Sequence, residues 1–141
     1  AIGTLGASWD VKPHRHKNME LYGPKASVYV PDPNFFGGDV EIATPEGVET
    51  VAERGHPFAV PNIQDGQGQD RANYRCAGLA DMAVAIAEGR RHRCSLELAT
   101  HVVEVMTAIL KAGESRAWVE MTTTCTRPEA LGPDDARALL S

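Results

Sequence analysis

Gly78-Leu-Ala-Asp-Met-Ala-Val-Ala-Ile-Ala-Glu-Gly89, Arg90-Arg-His-Arg-Cys-Ser95 and Leu96-Glu-Leu-Ala-Thr-His-Val-Val-Glu-Val-Met106 form the stretch whose reading decides the fold. Leu79, Met82, Ala83 and Ile86 recur at the spacing of one helix face. The spacing predicts a first helix from about Arg71 to Glu88, with Asp70 as N-cap and Gly89 as the residue that ends it. The basic run Arg90-Arg-His-Arg93 reads as a solvated turn, and a phosphate grip at the next helix start is the sharper alternative. Ser95 is placed to cap a second helix, Glu97 lies in its first turn, Lys111 in its last, and Gly113 ends it. Ala99, Val102, Val103, Met106, Ile109 and Leu110 form its apolar face, while Glu97, His101, Glu104 and Lys111 line the other side. An i, i+4 contact with Glu97 accounts for His101.

Outward from this helical half, the pattern changes to period two. Residues 2–9 read as a strand weakened by Gly3 and Gly6. Met19–Tyr22 and Ala26–Val30 flank the turn Gly23-Pro24-Lys25 and read as a hairpin. Val40–Ala43 is a further strand, and Val48–Val51 a short one inside the turn-rich segment Pro45–Gly55. Pro57–Gln69 reads as a long mobile connection. Ala117–Thr123 reads as a returning strand, and the last residues as a surface tail. Strands first and helices second predict an α+β class, with helices packed on one side of a mostly antiparallel, open-faced sheet. The expected organisation is one domain over 1–130 and a tail over 131–141.

The bulk numbers bound the function. The chain has 141 residues with 43% hydrophobic content, enough for one core. A formal net charge of −5 and a pI of about 5.5 argue against nucleic acid as a partner. Cys76, Cys94 and Cys125 are odd in number and widely spaced, which argues against a disulfide framework or a zinc cluster and for a reducing, cytoplasmic setting. No apolar run approaches the roughly 20 residues of a membrane span. Residue 1 is not methionine and the opening reads as a strand, so the chain is expected to begin inside a fold.

Few local motifs carry chemistry. His14-Arg-His16 followed by Glu20 places two histidines at i, i+2, which on a strand share a face. With Glu20 they form the alternative reading, a stand-alone small metal- or sugar-binding module using His14, His16 and Glu20. Gly66-Gln-Gly68 is a Gly-x-Gly, but it lacks the third glycine opening a helix that a dinucleotide turn needs. No serine, histidine and acid form a triad.

Several pieces, taken in order, resemble the C-terminal part of the Gfo/Idh/MocA-type oxidoreductases. They are Met19-Glu-Leu-Tyr-Gly23 with Ser27-Val-Tyr-Val30, the stretch Gly78 to Met106 with Glu88-Gly-Arg90 ahead of Ser95-Leu-Glu97, and Val119-Glu-Met-Thr-Thr123. The resemblance runs from Ala1 to about Leu131. It implies the substrate-binding and oligomerisation portion of an NAD(P)-dependent dehydrogenase acting on a sugar, cyclitol or similar polyol. It implies an N-terminal Rossmann domain of the parent chain as partner, homo-oligomers formed through the sheet face, and NAD or NADP bound by the full-length parent. The family's catalytic lysine and its Asp-x-x-x-His pair precede this region. Lys12-Pro13 and Asp10 with His14 match in letters but not in context, so no catalytic residue and no cofactor-binding residue is assigned within these residues. The resemblance places the substrate near His14, Arg15 and His16, just ahead of the hairpin, with Tyr74 and Arg75 at the helix opening as further contacts. Taken alone, the 141 residues are then expected to be inactive.

Overall fold

β-branched and aromatic residues alternating with polar ones give the first half its strands. In a computed structural model that describes residues 2–8, 10–11, 13–51 and 55–141, they run β1 (Met19–Tyr22), β2 (Ser27–Val30), β3 (Val40–Thr44) and β4 (Gly47–Val51). They form one four-stranded sheet in the order β1-β2-β3-β4, and every pair is antiparallel. The protein is therefore of the α+β class, with a meander whose hairpins set its register. The first hairpin is closed by the Gly23 N–H donating to the Ala26 carbonyl at 3.0 Å. The β3–β4 turn, Pro45-Glu46, is steadied by Thr44, whose Oγ1 accepts from the Glu46 N–H at 3.3 Å.

Alternation gives the sheet two unlike faces. Met19, Leu21, Val28, Val30, Val40, Ile42 and Val51 share one, and Glu20, Tyr22, Tyr29, Glu41 and Thr50 share the other. The apolar face is only half-buried, and Met19 and Leu21 at its β1 edge are exposed.

The chain divides into two compact units, 1–73 and 74–141. The first unit also holds a small core of its own. Phe58, in a single 3-10 turn at Pro57–Ala59, is 3% exposed and meets the Phe36 ring edge-on at 6.0 Å. The Phe36 N–H donates to the Ala72 carbonyl, which closes the long β2–β3 connection over this core. Gly37 lies so close to Ala59 that a Cβ would sit 2.8 Å from its carbonyl oxygen.

The expected mobile connection over 57–69 is instead ordered. It contains β5 (Ile63–Gln64), paired antiparallel with β6 (Asp70–Arg71). Asp65 organises the turn between them: its Oδ1 accepts from the backbone N–H of Gln67 and Gln69, and its Oδ2 from Arg71 Nε at 2.9 Å. Those bonds claim Asp70 and Arg71 for a strand, so the first helix starts later than its sequence pattern suggests. Residues 2–8 form no strand, since nothing there makes a ladder. Trp9 of that expected strand, Lys12, and residues 52–54 of the turn-rich segment lie outside the described residues.

In the second unit, α1 spans Ala77–Glu88 and ends on Gly89 in the left-handed conformation (φ 66°), as expected. Cys76 stands at its N-cap without a side-chain bond. α2 spans Leu96–Ser115; Ser95 caps it by accepting from the Leu98 N–H at 3.3 Å. It runs through Gly113 and stops at Arg116, which takes a left-handed φ of 53°. The final residues contain a short helix, α3 (Pro133–Ala138), whose Ala136 is fully buried, rather than only a tail.

Helix faces turn out opposite to their apolar pattern. On α1 the buried positions are Asp81 and Ala85, while Leu79 and Ile86 are exposed. On α2 the half-buried positions are Leu98, His101, Glu104, Ala108 and Ala112, and Val102, Val103, Met106, Ile109 and Leu110 are exposed. Ala117–Thr123 is no strand either, because Glu104 takes its donors: Thr122 gives its N–H at 2.7 Å and its hydroxyl at 2.6 Å, and Thr123 its N–H at 2.8 Å and its hydroxyl. The Thr123 proton being committed to Glu104, its oxygen accepts from His101 Nδ1 at 2.9 Å, so His101 partners this strap rather than Glu97.

Two predictions follow from these anchors. Phe58→Ala removes the ring at the centre of the small core and should destabilise the first unit by about 3 kcal/mol in urea unfolding. The two threonine hydroxyls, then the two N–H groups, hold the Glu104 carboxyl down to about 2 from an ordinary 4.5. A depressed carboxyl stabilises the fold above its ordinary value and loses that contribution as pH falls from about 4.5 to about 2. The Thr122 and Thr123 amide shifts should titrate over the lower part of that window, and Glu104→Gln should abolish the titration.

Candidate functional site

Register on the polar face of the sheet builds the site. Glu20 of β1 lies directly opposite Tyr29 of β2, and Tyr29 lies opposite Glu41 of β3. The three side chains therefore make a transverse row, carboxylate, phenol, carboxylate, across neighbouring strands. Tyr22, two residues beyond Glu20, joins the same face. Residues 14–17 run irregularly into β1 and bring Arg15, His16 and Lys17 alongside. Together these seven residues line an open cleft of about 340 Å³.

Hydrogen bonds hold the row in place. Glu20 is the hub: its Oε1 accepts from the Lys17 N–H at 2.8 Å, and its Oε2 accepts from the Tyr22 hydroxyl. His16 Nδ1 stands 3.5 Å from the same Oε2, and Lys17 Nζ 3.4 Å from Glu41 Oε2. The Tyr22 hydroxyl, and then the Lys17 N–H, hold the Glu20 carboxyl below its ordinary value. The Tyr22 phenol is pushed up in return by the carboxylate it serves. At neutral pH Glu20 is an anion, and Tyr22, its proton committed to Glu20, offers its oxygen as a second acceptor, a pair suited to hydroxyl donors.

Of the residues expected at the substrate, the cleft collects Arg15 and His16. His14 is exposed and does not line it. Tyr74 and Arg75 belong to the second unit, just ahead of α1. His14 and His16 lie on irregular chain, not a strand, so the face-sharing argument for them fails. Among the described residues, no three His, Cys, Asp or Glu side chains are placed to hold a metal ion. Lys17, Tyr22, Tyr29 and Glu41 were not singled out from sequence. The available signal was the alternation in the three strands, which aligns them only once the hairpin registers are known.

A larger cleft, about 810 Å³, opens in the second unit around Asp81, Arg90, Arg93 and Asp135. Its central charges satisfy one another, while His92 Nδ1 and Arg93 Nε are buried without a hydrogen-bond partner. Asp81, 3% exposed, accepts from Arg90 Nη2 at 3.0 Å, Arg93 Nη1 at 2.6 Å and the Arg93 N–H at 2.8 Å. Burial by itself would push the Asp81 carboxyl up; the Arg93 N–H and the two guanidinium groups outweigh it and hold it down. Arg93 also reaches Asp135 at 2.6 Å, and Arg91 reaches Glu97 at 2.8 Å. Arg90 and Arg93 thus clamp Asp81 from within the turn, whose Arg90 and Arg91 remain exposed.

Cys76 and Cys94 are exposed and Cys125 is half-buried, all as free thiols. Among the described residues no helix is long and apolar enough to cross a membrane. No family model matches the chain, and neither a curated protein nor a solved structure shows a significant match.

The Glu20–Tyr22 bond is directly testable. Tyr22→Phe should let the Glu20 carboxyl rise toward its ordinary value of 4.5, read as an upward shift of its side-chain carbon titration by NMR.

Proposed function

We propose that this chain is the substrate-binding and subunit-associating portion of an NAD(P)-dependent oxidoreductase of the Gfo/Idh/MocA type, acting on a sugar, cyclitol or similar polyol. The observation that carries the reading is the Glu20–Tyr29–Glu41 row with Tyr22 and His16 beside it. Paired acceptors and donors beside aromatic rings fit vicinal hydroxyls and the apolar face of a sugar ring. Support also comes from the large apolar residues left at the surface. The half-buried sheet face, with Met19 and Leu21, suits a second copy of the chain.

Hydride chemistry lies outside these residues in this reading. Gly66 and Gly68 sit in the β5–β6 turn, where the Gln67 and Gln69 amides already serve Asp65, so this Gly-x-Gly makes no pyrophosphate cradle at a helix start. In this reading the nicotinamide dinucleotide is held outside these residues. A Rossmann domain of the parent chain supplies that site and the catalytic lysine, and the chain works in the cytoplasm. No metal enters this reading, since His14, His16 and Glu20 are not assembled as a ligand set.

Calorimetric titration of the 141-residue chain with myo-inositol and glucose tests the binding role. Millimolar affinity for at least one polyol, lost in Glu20→Ala, is the expected outcome, with no uptake of NADH. Sedimentation should show a dimer or larger assembly that Leu21→Lys weakens. A chain that binds NADH tightly, or ignores every polyol, is not this portion of such an enzyme.

A further inference from the structure

The charge balance of the β1–β3 cleft is uneven. Glu41 is matched by Lys17 Nζ at 3.4 Å, and Glu20 by Tyr22, the Lys17 N–H and His16. Arg15 lines the same cleft, is exposed, and makes no hydrogen bond or ion pair among the described residues. A guanidinium presents five donors in a planar fork, and an unpaired one in a cleft of fixed hydroxyl-binding groups has capacity for an anion.

We infer that the cleft is built for a polyol bearing a carboxylate, a sugar acid, with Arg15 receiving the carboxylate while Glu20, Tyr22 and Tyr29 take the hydroxyls. The proposal rests on the polyol reading of the same cleft and narrows its substrate class. Two features favour a carboxylate over a phosphate. The cleft's formal charges, Arg15 and Lys17 against Glu20 and Glu41, sum to zero, and the one unpaired cation matches a single negative charge, leaving the second charge of a dianion without a partner. No helix N-terminus contributes to the cleft, whose regular elements are all strands, so the dipole and amide donors that commonly hold phosphate are lacking among its lining residues. A carboxylate matches the guanidinium fork in charge and geometry, and the bidentate pair is stronger than a neutral hydrogen bond.

Titration of the full chain with glucose, glucuronate and glucose 6-phosphate tests this. Glucuronate should bind roughly tenfold tighter than glucose, the gain of a partly exposed charge-assisted pair. Arg15→Ala should bring the two to parity, and Arg15→Lys should keep part of the preference. Arg15 is exposed and makes no bond among the described residues, so the variant should fold, which an amide NMR spectrum verifies. Equal affinity for glucose and glucuronate in the native chain overturns the sugar-acid assignment but leaves the polyol cleft standing. Tighter binding of the 6-phosphate also overturns it, replacing carboxylate by phosphate. Failure of all three ligands to bind sinks the polyol reading and the present inference with it.

Discussion

Antiparallel register in the β1–β3 meander is the constraint on which the candidate site depends. Because side chains alternate with period two, pairing Glu20 with Tyr29 and Tyr29 with Glu41 puts every polar group of the row on one face and the valines, Leu21 and Ile42 on the other. A slip of one residue in either hairpin would carry Tyr29 to the apolar face and break up the cleft. The β1–β2 register is held by the Gly23–Ala26 bond, and the connection between β2 and β3 is anchored by the Phe36 N–H on the Ala72 carbonyl. Glu20 then draws in the chain ahead of β1 through the Lys17 N–H, and with it Arg15 and His16. The side chains lining the cleft thus come from three strands and from one segment tethered to them.

The second unit is organised by carboxylates. Asp81 gathers Arg90 and Arg93 from the α1–α2 connection, Arg93 continues to Asp135 on α3, and Glu104 fastens the strap at Thr122 and Thr123 to α2. Each hub accepts at least three hydrogen bonds, which is how a carboxylate withstands loss of solvent. Directional bonds of this kind set which face of a helix turns inward. They leave the apolar stripe of α2 at the surface.

Much of the fold was legible along the chain. The strands at 19–22, 27–30, 40–44 and 47–51 follow from alternation bounded by Gly, Pro and Asp, and Ser95 and Gly89 mark helix ends by cap chemistry that acts within a few residues. The misreadings have a common cause. Asp70 has the pattern of a cap, but the Asp65–Arg71 bond that claims the next residue joins positions six apart. Ala117–Thr123 has the composition of a strand, but Glu104, eighteen residues before Thr122, takes its donors. Hydrophobicity marks one face of each helix, but the ion pairs of Asp81 on α1 and the hydrogen bonds of Glu104 and His101 on α2 turn the other face inward.

Sequence by itself determined the α+β class, the succession of the four-stranded meander and the two long helices, the caps at Gly89 and Ser95, and the polar cluster at residues 14–20, because these depend on periodicity and on interactions between near neighbours. Only the tertiary structure decided which residues share the cleft. Lys17, Tyr22, Tyr29 and Glu41 meet Arg15 and His16 through two hairpin registers, and His14 is left outside. Long-range pairing sets those distances, and no local pattern along the chain encodes them.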